Sequence, residues 1–424
     1  MDRRLKVLVS AYACNPYRGS EPGIGWGFAT AIGQQHDVWV LTSEANRLDI
    51  EAEMGAHPES YVNLHFYYVP RVRWLALETI WPPSYLWTYE LWQKAAYRVG
   101  AALHQQVGFD LMHMVTYGTF RSPGYLWRLD VPLVIGPVEG LDNTPWRYLP
   151  MMGLKGGLHF AARNIINSLH KRFLPVPKRA FRKAAGVIAA SEGMQEQIRR
   201  WYGRESEVIC EIGPPPVMAD DFTRRQPQEA LRISWSAQHM PGKALHLLIG
   251  ALRRLDPRVD WSLDILGEGP CTGKWRRLAT KLGVEERCRW HGRLPRTEAV
   301  SLVHKSHVFV ITSLHDMTST VLIEALSQGV PVVCPDHFGF RDVVTDDCGI
   351  KMPIRTRRQF ESDMAAAIVR LAGDEQWRQR LAEGALRRAE DFSWKGKAQR
   401  LSAIYAGCTT AGNTELVAAE GYRT

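Results

Sequence analysis

A strand–loop–helix–strand pattern between residues 308 and 334 constrains the fold more than any other part of the chain. Residues 308–312 form a short apolar, largely β-branched run, which predicts a buried strand. Residues 320–328 have apolar side chains at helical spacing, and Gly329 then supplies a common helix stop. Residues 330–334 are a second apolar run. The pattern predicts two parallel strands joined by a right-handed helical crossover.

Two acids lie between these predicted strands. Asp316 precedes the helix, and Glu324 lies on the helix in an apolar context. A loop before a helix N-terminus presents free backbone N–H groups and positive partial charge, which favours a phosphorylated ligand. The alternative is an Asp that complements the helix dipole and a Glu that faces solvent. The backbone groups that would meet the ligand belong to Met317, Thr318 and Ser319.

The spacing of these acids resembles that of the family 4 retaining glycosyltransferases, which have the GT-B fold. The shared pattern is Asp316, seven residues, Glu324, then Ala-Leu and Gly-x-Pro-Val-Val. The family usually has Glu at the first position, where this chain has Asp316. The resemblance implies that Asp316 is catalytic and binds donor sugar hydroxyls, that Glu324 binds the ribose, and that residues 317–319 contact the diphosphate. It also implies a nucleoside diphosphate sugar donor and no metal or other cofactor.

The length of 424 residues predicts two domains. Both halves alternate strands with helices, so we expect an α/β protein with two doubly wound, Rossmann-like domains facing a central cleft. We assign residues 1–213 to an acceptor-side domain, 214–230 to a linker and 231–391 to a donor-binding domain. The resemblance implies that a helix over residues 392–406 crosses back to the first domain, and residues 407–424 are expected to be a tail.

The charge and the cysteines limit the possible partners and compartment. The formal net charge is +9, which suits phosphorylated ligands or an anionic membrane surface. The basic residues are dispersed and no recognition motif occurs, so we expect no nucleic-acid partner. Seven scattered cysteines without a Cys-x-x-Cys pair indicate reduced thiols and disfavour structural zinc. We therefore expect a cytoplasmic protein, and no apolar run is long enough to span a membrane.

A glycine-rich segment follows the first predicted strand. Its glycines include Gly19, Gly23 and Gly25, but no Gly-x-Gly-x-x-Gly fingerprint can be placed on them. The segment predicts a loop that allows close approach of a ligand to the backbone, or a loop that is only flexible. In the resembling family such a loop lies beside the donor phosphate, and Gly23 is the candidate for that contact.

Three further candidates in the first half follow predicted strands. His113 and Thr116 belong to one strand, and Glu139 follows the next. Both segments resemble cleft-lining parts of the family, which implies a catalytic histidine at His113 and acceptor contacts from Glu139 and Thr116. Many members have a second histidine two residues after the first, where this chain has Val115. A structural role for His113 is the alternative.

The second half opens with a segment that resembles the diphosphate clamp of the family. Lys243 matches the family lysine, which implies a catalytic role in stabilising the departing diphosphate, whereas Gln238 occupies the usual arginine position. A lysine at a strand–loop–helix junction suits a phosphate as a point charge. His239 or Arg293 could supply the missing contact, and we include Gln238 and Arg293 among the donor-binding candidates.

Residues 155–183 are basic and amphipathic. They predict either a solvated helix face or a surface that lies on anionic lipid. Together with the resemblance, they predict a glycan or lipid-linked acceptor, bacterial cell-surface polysaccharide synthesis and a peripheral position at the inner face of the plasma membrane.

Two alternatives to transfer remain open at this point. One is a sugar phosphorylase or hydrolase on the same fold, and the other is a nucleotide-sugar-binding protein with a degenerate site. Aromatic residues are also dense between residues 66 and 92, which favours core or lid packing over a surface for sugar stacking.

Overall fold

The computed structural model describes residues 3–70, 85–215, 219 and 221–420, and it divides into two compact units. The first unit comprises Met1–Leu141, Leu169–Glu211 and Trp394–Thr424, and the second comprises Asp142–Ser168 and Ile212–Ser393. Residues 142–168, expected in the first domain, therefore belong to the second unit. Helical periodicity reveals that a segment has a buried face, but it does not identify the element that covers that face.

The first unit is built on a parallel sheet of seven described strands in the order β3-β2-β1-β4-β5-β6-β7. The order reverses between β1 and β4, so this is a doubly wound sheet with its switch point at those two strands. Its strands are β1 (Lys6–Ala11), β2 (Asp37–Ser43), β3 (Leu64–Val69), β4 (Leu111–Thr116), β5 (Leu133–Val138), β6 (Gly186–Ala189) and β7 (Glu207–Val208).

Helices cover this sheet, and the final helix packs against the first one. The predicted C-terminal helix begins at Trp394 and belongs to the first unit. It runs to Glu420, beyond the predicted end at residue 406, because residues 407–420 contain no proline and many good helix formers. In chain order the helices are α1 (Glu21–Gly33), α2 (Arg47–Ala56), α3 (Tyr85–Val107), α4 (Gly153–Phe173), α5 (Pro175–Lys183), α6 (Glu192–Tyr202) and, at the C-terminal end, Trp394–Glu420. Residues 153–168 of α4 belong to the second unit and residues 169–173 to the first.

The second unit contains a parallel sheet of six described strands in the order β10-β9-β8-β11-β12-β13. The order again reverses once, here between β8 and β11. The strands are β8 (Leu231–Ser236), β9 (Trp261–Leu266), β10 (Cys288–Gly292), β11 (Val308–Val310), β12 (Val332–Pro335) and β13 (Gly349–Met352). The helices are α7 (Leu245–Leu252), α8 (Thr272–Lys281), α9 (Arg296–His304), α10 (Thr320–Ser327), α11 (Phe338–Val343), α12 (Arg357–Gly373) and α13 (Glu375–Glu390), and the C-terminal helix is α14.

Short 3₁₀ turns connect several of these elements. They are Glu44–Asn46, Pro58–Ser60, Leu126–Arg128, Trp146–Met152, Pro241–Lys243 and Glu285–Arg287.

The central strands are buried on both faces, as expected for parallel sheets covered by helices. All of β4 and β5 and all of β11 and β12 are buried. In the second unit the buried indole of Trp235 donates a hydrogen bond to Thr312 Oγ1 at 2.9 Å. The doubly wound α/β architecture that the sequence predicts is confirmed in both units.

Part of the aromatic segment forms core. Tyr89 and Trp92 are buried in the first unit, as the packing interpretation predicts, whereas Trp87 is exposed. Trp74 and Trp81 lie outside the described residues. Across the described ranges, no helix has the length and apolar character needed to cross a bilayer.

Candidate functional site

Lys243 and Asp316 meet at the switch point of the second sheet. Lys243 lies after β8 and Asp316 after β11, and these strands are hydrogen-bonded neighbours. The carboxyl ends of parallel strands at a switch point form the usual ligand crevice of a doubly wound sheet. Lys243 Nζ donates to Asp316 Oδ2 in an ion pair, with the two side chains 24% and 16% exposed. The structure thus brings together two residues that the sequence analysis selected separately.

Backbone hydrogen bonds hold the loop that carries Lys243. Thr312 Oγ1 donates to the Lys243 carbonyl at 2.7 Å, and Leu314 N donates to the Gly242 carbonyl at 2.7 Å. Ala244 has φ 51°, a left-handed conformation that costs a non-glycine residue roughly 1–2 kcal/mol. Such strain persists only where the surroundings fix the backbone, so the position of Lys243 is tightly determined.

The loop that carries Asp316 is fixed from the opposite side by the start of α11. Met317 N donates to Asp316 Oδ1 at 3.1 Å, and Gly339 N donates to the Met317 carbonyl at 3.1 Å. A Cβ at Gly339 would lie 2.2 Å from Thr318 Oγ1, so only glycine fits at this position. Thr318 is buried, and Met317 and Ser319 are partly exposed just before α10. Residues 317–319 therefore lie at a helix N-terminus, as predicted.

Glu324 lies on α10 and is paired with a residue that the sequence analysis did not select. Arg296, the first residue of α9, donates from Nε to Glu324 Oε1 at 2.7 Å. The Glu324 side chain is 11% exposed. Burial raises the pKa of Glu324, and the nearby charge and hydrogen bond of Arg296 act in the opposite direction. Arg293 and Arg296 are three residues apart in the sequence, and only the three-dimensional structure identifies Arg296 as the partner.

We expect Arg296→Met to act on ligand binding through the protonation of Glu324. Without the guanidinium, burial raises the pKa of Glu324 further, so the carboxylate that accepts hydrogen bonds is lost at higher pH. The pH below which nucleotide binding weakens should therefore move upward in this variant. Titration calorimetry with a nucleoside diphosphate at several pH values checks this. Arg358→Met, at an exposed arginine of α12 outside the candidate site, should leave the pH profile unchanged. An unshifted profile in Arg296→Met would exclude the positioning role.

His315, beside Asp316, is held by the segment from residues 142–168. Its Nδ1 lies 2.9 Å from Thr144 Oγ1, and its ring lies 5.1 Å from that of Phe160 and 5.4 Å from that of Phe338. Burial, with a smaller effect from Arg163, lowers the pKa of His315 to about 3. The imidazole beside the Lys243–Asp316 ion pair is therefore neutral. No local pattern in the sequence indicates these contacts, since their partners are far apart along the chain.

The remaining donor-side candidates lie in different environments. Gln238 and Arg293 are both exposed. His239, the alternative second contact, is fully buried, with Nδ1 2.7 Å from Thr272 Oγ1 and its ring against Trp235 and Trp275. His239 therefore packs in the core and is not available to a ligand at the surface.

In the first unit the first helix begins inside the glycine-rich segment, whereas the sequence analysis expected a loop there. Helix α1 begins at Glu21, so Gly23 and Gly25 lie inside it. A Cβ at Gly23 would lie 2.6 Å from the Arg18 carbonyl oxygen, and one at Gly25 would lie 2.0 Å from the Ala13 carbonyl oxygen. The close backbone approach that the glycines permit is to the protein's own residues 13–18. The donor contact assigned to Gly23 stays a prediction.

His113, Thr116 and Glu139 are all buried within the first unit. His113 Nδ1 lies 2.6 Å from Tyr405 Oη, and its Nε2 lies 2.8 Å from the Gly136 carbonyl. Thr116 Oγ1 accepts from Ala13 N and is within hydrogen-bond distance of Ala13 O, each at 3.2 Å. Both nitrogens of His113 are thus engaged, which favours the structural alternative for this residue. The acceptor contacts of Thr116 and Glu139 stay predictions.

We expect His113 to contribute to stability in a pH-dependent way. Burial lowers the pKa of His113 to about 4, whereas an unfolded histidine titrates near pH 6.5. The unfolded chain therefore binds the proton first, so this contribution is complete above pH 6.5 and is lost as the pH falls towards 4. Calorimetric unfolding from pH 8 to pH 4 should show a weaker loss of Tm in His113→Gln than in wild type. Equal pH dependence in both proteins would contradict this assignment.

One titratable group near α1 was not foreseen from the sequence. Burial, with a smaller effect from the charge of Glu211, raises the pKa of Glu21 to about 7. An acid at the first position of a helix is usually a solvated dipole partner. Only the three-dimensional packing around α1, together with the nearby Glu211, distinguishes Glu21 from such a solvated acid.

Within the part of the chain that the structure describes, no group of three or more His, Cys, Asp or Glu side chains could hold a metal ion. The expectation of metal-independent chemistry stays a prediction.

Two family models match the two halves of the chain. A glycosyl transferase 4-like domain matches residues 28–214, and the glycosyl transferases group 1 model matches residues 223–388. The fold and the matched models define a GT-B glycosyltransferase architecture. The chain belongs to the family 4 type of these glycosyltransferases, so the resemblance carried by Asp316 and Glu324 is confirmed.

Among curated relatives, the lipopolysaccharide core biosynthesis glycosyltransferase LpsE of Rhizobium meliloti is 30% identical over 207 residues, 48% of this chain and 58% of LpsE. The chain spans about half the length of the curated relatives it matches.

Two solved structures have a similar fold over nearly the whole chain. Sucrose-phosphate synthase from Thermosynechococcus elongatus has a TM-score of 0.66 at 16% identity, covering 96% of this chain and 100% of that one. Anabaena HepE, solved in complex with UDP and glucose, has a TM-score of 0.58 at 16% identity, covering 95% of this chain and 100% of that one. Each similarity concerns the fold.

Proposed function

We propose that the protein is a retaining glycosyltransferase that transfers a sugar from a nucleoside diphosphate sugar to a glycan or lipid-linked acceptor in bacterial cell-surface polysaccharide synthesis. The observation that carries the proposal is the pairing of Lys243 with Asp316 at the switch point of the second sheet. Family membership and the naming of LpsE as a lipopolysaccharide core glycosyltransferase support the same class of reaction.

A uridine diphosphate sugar is the first donor to test. HepE, which has a similar fold, was solved with UDP and glucose. In this chain the second unit supplies a cation and a helix N-terminus next to one another, which suits a diphosphate. The base and the sugar are part of the proposal.

Lys243 is the residue that stabilises the departing diphosphate in this proposal. Negative charge develops on the diphosphate as its bond to the sugar breaks, and a fixed cation in a partly buried site is most effective against such charge. The Lys243 side chain is 24% exposed, and the Lys243 carbonyl accepts a hydrogen bond from Thr312 that anchors the backbone. With a donor present, the diphosphate would share this ammonium with Asp316. The backbone N–H groups before α10 add further donors.

Asp316 and Glu324 orient the donor. Asp316 accepts from donor sugar hydroxyls, which holds the anomeric carbon beside the site from which the acceptor attacks. Glu324 accepts from the ribose hydroxyls, and Arg296 opposes the burial that raises the pKa of Glu324 and directs its carboxyl group. No side chain is assigned as nucleophile. The acceptor attacks from the side of the departing diphosphate, whose oxygen takes the acceptor proton, so the anomeric configuration is retained without a metal.

We propose a cytoplasmic location at the inner face of the plasma membrane. Nucleotide sugars and lipid-linked acceptors meet at such a surface, and all seven cysteines are free thiols. This location and the transfer reaction are separate parts of the proposal and fail independently.

Proton NMR of the reaction mixture tests the function. The protein is incubated with UDP-sugars and a panel of glycan and lipid-linked acceptors, and the coupling constant of the new anomeric proton is compared with that of the donor. Retained configuration in a product that contains the acceptor supports the proposal. Release of free sugar, or dependence on inorganic phosphate, would instead indicate a hydrolase or phosphorylase. Donor binding without turnover would indicate a nucleotide-sugar-binding protein.

A further inference from the structure

A cavity of about 390 Å³ lies within the second unit and is lined along one side by helix α8 (Thr272–Lys281). Its other walls are the end of the 3₁₀ turn Trp146–Met152 and the first residues of α7 and α12. The volume is within the usual range for small-molecule sites, about 300–1,000 Å³. Among the described residues that line this cavity, which we call the α8 cavity, none is an Asp or a Glu. The basic side chains in its lining are His246, Lys274, Arg277, Lys281 and Arg357.

Three of these cations share one side of α8. Lys274, Arg277 and Lys281 are three and four residues apart, and together they extend over about 10 Å of the helix. All three side chains are exposed, and within the described part of the chain none of them forms an ion pair. Helix α8 itself contains no acid. Lys274 lies in the first turn, where the helix dipole disfavours positive charge, so a bound anion would relieve an existing repulsion.

A fourth cation faces the α8 cavity from helix α12. Arg357 Nε donates to Glu361 Oε1 at 2.6 Å, but Glu361 also accepts from Arg254 at 2.9 Å, so one carboxylate is shared by two guanidinium groups. Burial, with smaller effects from the charges of Arg357 and Lys274, lowers the pKa of His246 to about 4. Cations on two different helices therefore act on the same imidazole, and positive charge converges on the cavity from two sides.

The α8 cavity neighbours the candidate donor site but uses different side chains. Pro241 lines the cavity and belongs to the same 3₁₀ turn as Lys243. Lys243 itself is paired with Asp316, and neither of these residues nor Glu324 is part of the described lining. The cations of α8 are thus not those assigned to the donor diphosphate.

We propose that the α8 cavity binds a small ligand that carries two or more phosphate groups. A phosphate monoester has a charge of about −1.5 to −2 near pH 7, so two such groups balance the four cations Lys274, Arg277, Lys281 and Arg357. Arginine guanidinium groups also bind phosphate through paired hydrogen bonds. Inorganic polyphosphate and a sugar bisphosphate share this chemistry. The site is additional to the proposed donor site, and its test needs neither donor nor acceptor.

Titration calorimetry of the full chain carrying Lys243→Met tests the proposal, because this substitution removes the donor-site cation. The probes are inorganic tripolyphosphate and fructose 1,6-bisphosphate. We expect at least one of them to bind, with an affinity that falls as the salt concentration rises. The probe that binds more tightly distinguishes an inorganic from a sugar-borne source of the phosphates, and either preference supports the site.

Adding Lys274→Gln/Arg277→Gln/Lys281→Gln should lower the affinity for the probe about tenfold or more, since charged hydrogen bonds are lost. These three side chains are exposed, so the variant should fold normally, which its Tm checks. The matched control is Arg253→Gln/Lys305→Gln/Arg380→Gln, which removes the same charge from exposed positions of the second unit outside the cavity. The control should stay within about twofold of the Lys243→Met protein.

Three results would overturn the proposal. One is that neither probe binds the Lys243→Met protein, which would assign any anion binding of wild type to the donor site. Another is an equal loss of affinity in the α8 variant and the control, because net charge alone would then explain it. The third is loss of UDP binding when the α8 substitutions are made in the wild-type chain, since the cavity would then be part of the donor site. A wild-type chain that binds a probe through α8 but binds no nucleotide would instead contradict only the proposed function.

Discussion

Replacing Lys243 by methionine is expected to lower kcat for sugar transfer by about 10²–10³-fold, the usual cost of removing one group that stabilises transition-state charge. Methionine keeps the length and apolar stem of the side chain but removes the ammonium that pairs with Asp316. We also expect weaker binding of the free nucleoside diphosphate, because the same ammonium meets the diphosphate in the ground state. Steady-state kinetics and titration calorimetry measure the two effects.

A lysine outside the candidate site provides the control for this variant. Lys305 is exposed at the end of α9, and Lys305→Met should leave both kcat and nucleotide affinity within about twofold of wild type. Lys243→Arg keeps the charge and should retain part of the activity, since the guanidinium has a different shape. Near-normal turnover in Lys243→Met would remove this residue from the mechanism.

Asp316→Asn is expected to separate sugar recognition from nucleotide recognition. The amide preserves the shape of the side chain but no longer pairs with Lys243 or accepts from sugar hydroxyls with a full charge. We therefore expect kcat/KM for the nucleotide sugar to fall about 10²-fold, as for the loss of a charged hydrogen-bonding group. The affinity for the free diphosphate should be unchanged or higher, because Lys243 no longer has a competing carboxylate.

Lys243→Met should weaken binding of the free nucleotide, whereas Asp316→Asn should not. This difference distinguishes the role of the lysine from that of the aspartate. Asp316→Glu retains the carboxylate with a longer reach and serves as the matched control, since the family usually has Glu at this position. It should keep more activity than Asp316→Asn. A parallel loss of UDP and UDP-sugar affinity in Asp316→Asn would mean that the ion pair only maintains the structure of the loop.

The sequence predicts those parts of the fold that depend on local pattern. The β-branched runs at β11 and β12 and the strand–helix alternation in both halves define two doubly wound sheets, which the structure confirms. The relative position of Asp316 and Glu324 could also be predicted from their spacing, because both residues lie on one loop–helix element. Lys243 joins Asp316 because the carboxyl ends of adjacent parallel strands must meet.

Features that depend on long-range packing could not be predicted from the sequence. Arg296 is a surface arginine by any local rule, and its role beside Glu324 follows from the approach of α9 to α10. His113 has the expected place in a strand, yet Tyr405 and Gly136 occupy both of its nitrogens. The amphipathic pattern of α4 is visible in the sequence, but its buried side is set by hydrogen bonds of Asn164 and Asn167 to residues 143 and 144.

The central claim is that the second unit binds a nucleoside diphosphate through Glu324 and its neighbours. Thermal unfolding with UDP, GDP and ADP at fixed salt tests it most directly, using wild type, Glu324→Gln and the exposed control Glu298→Gln. At about 100 times Kd, a ligand that binds only the native state adds about 2.7 kcal/mol.

We predict that one of the three nucleotides raises Tm by roughly 5–10 °C in wild type and in Glu298→Gln. The increase should be largely absent in Glu324→Gln. An absence of any shift in wild type with all three nucleotides, or an equal shift in all three proteins, would contradict the account.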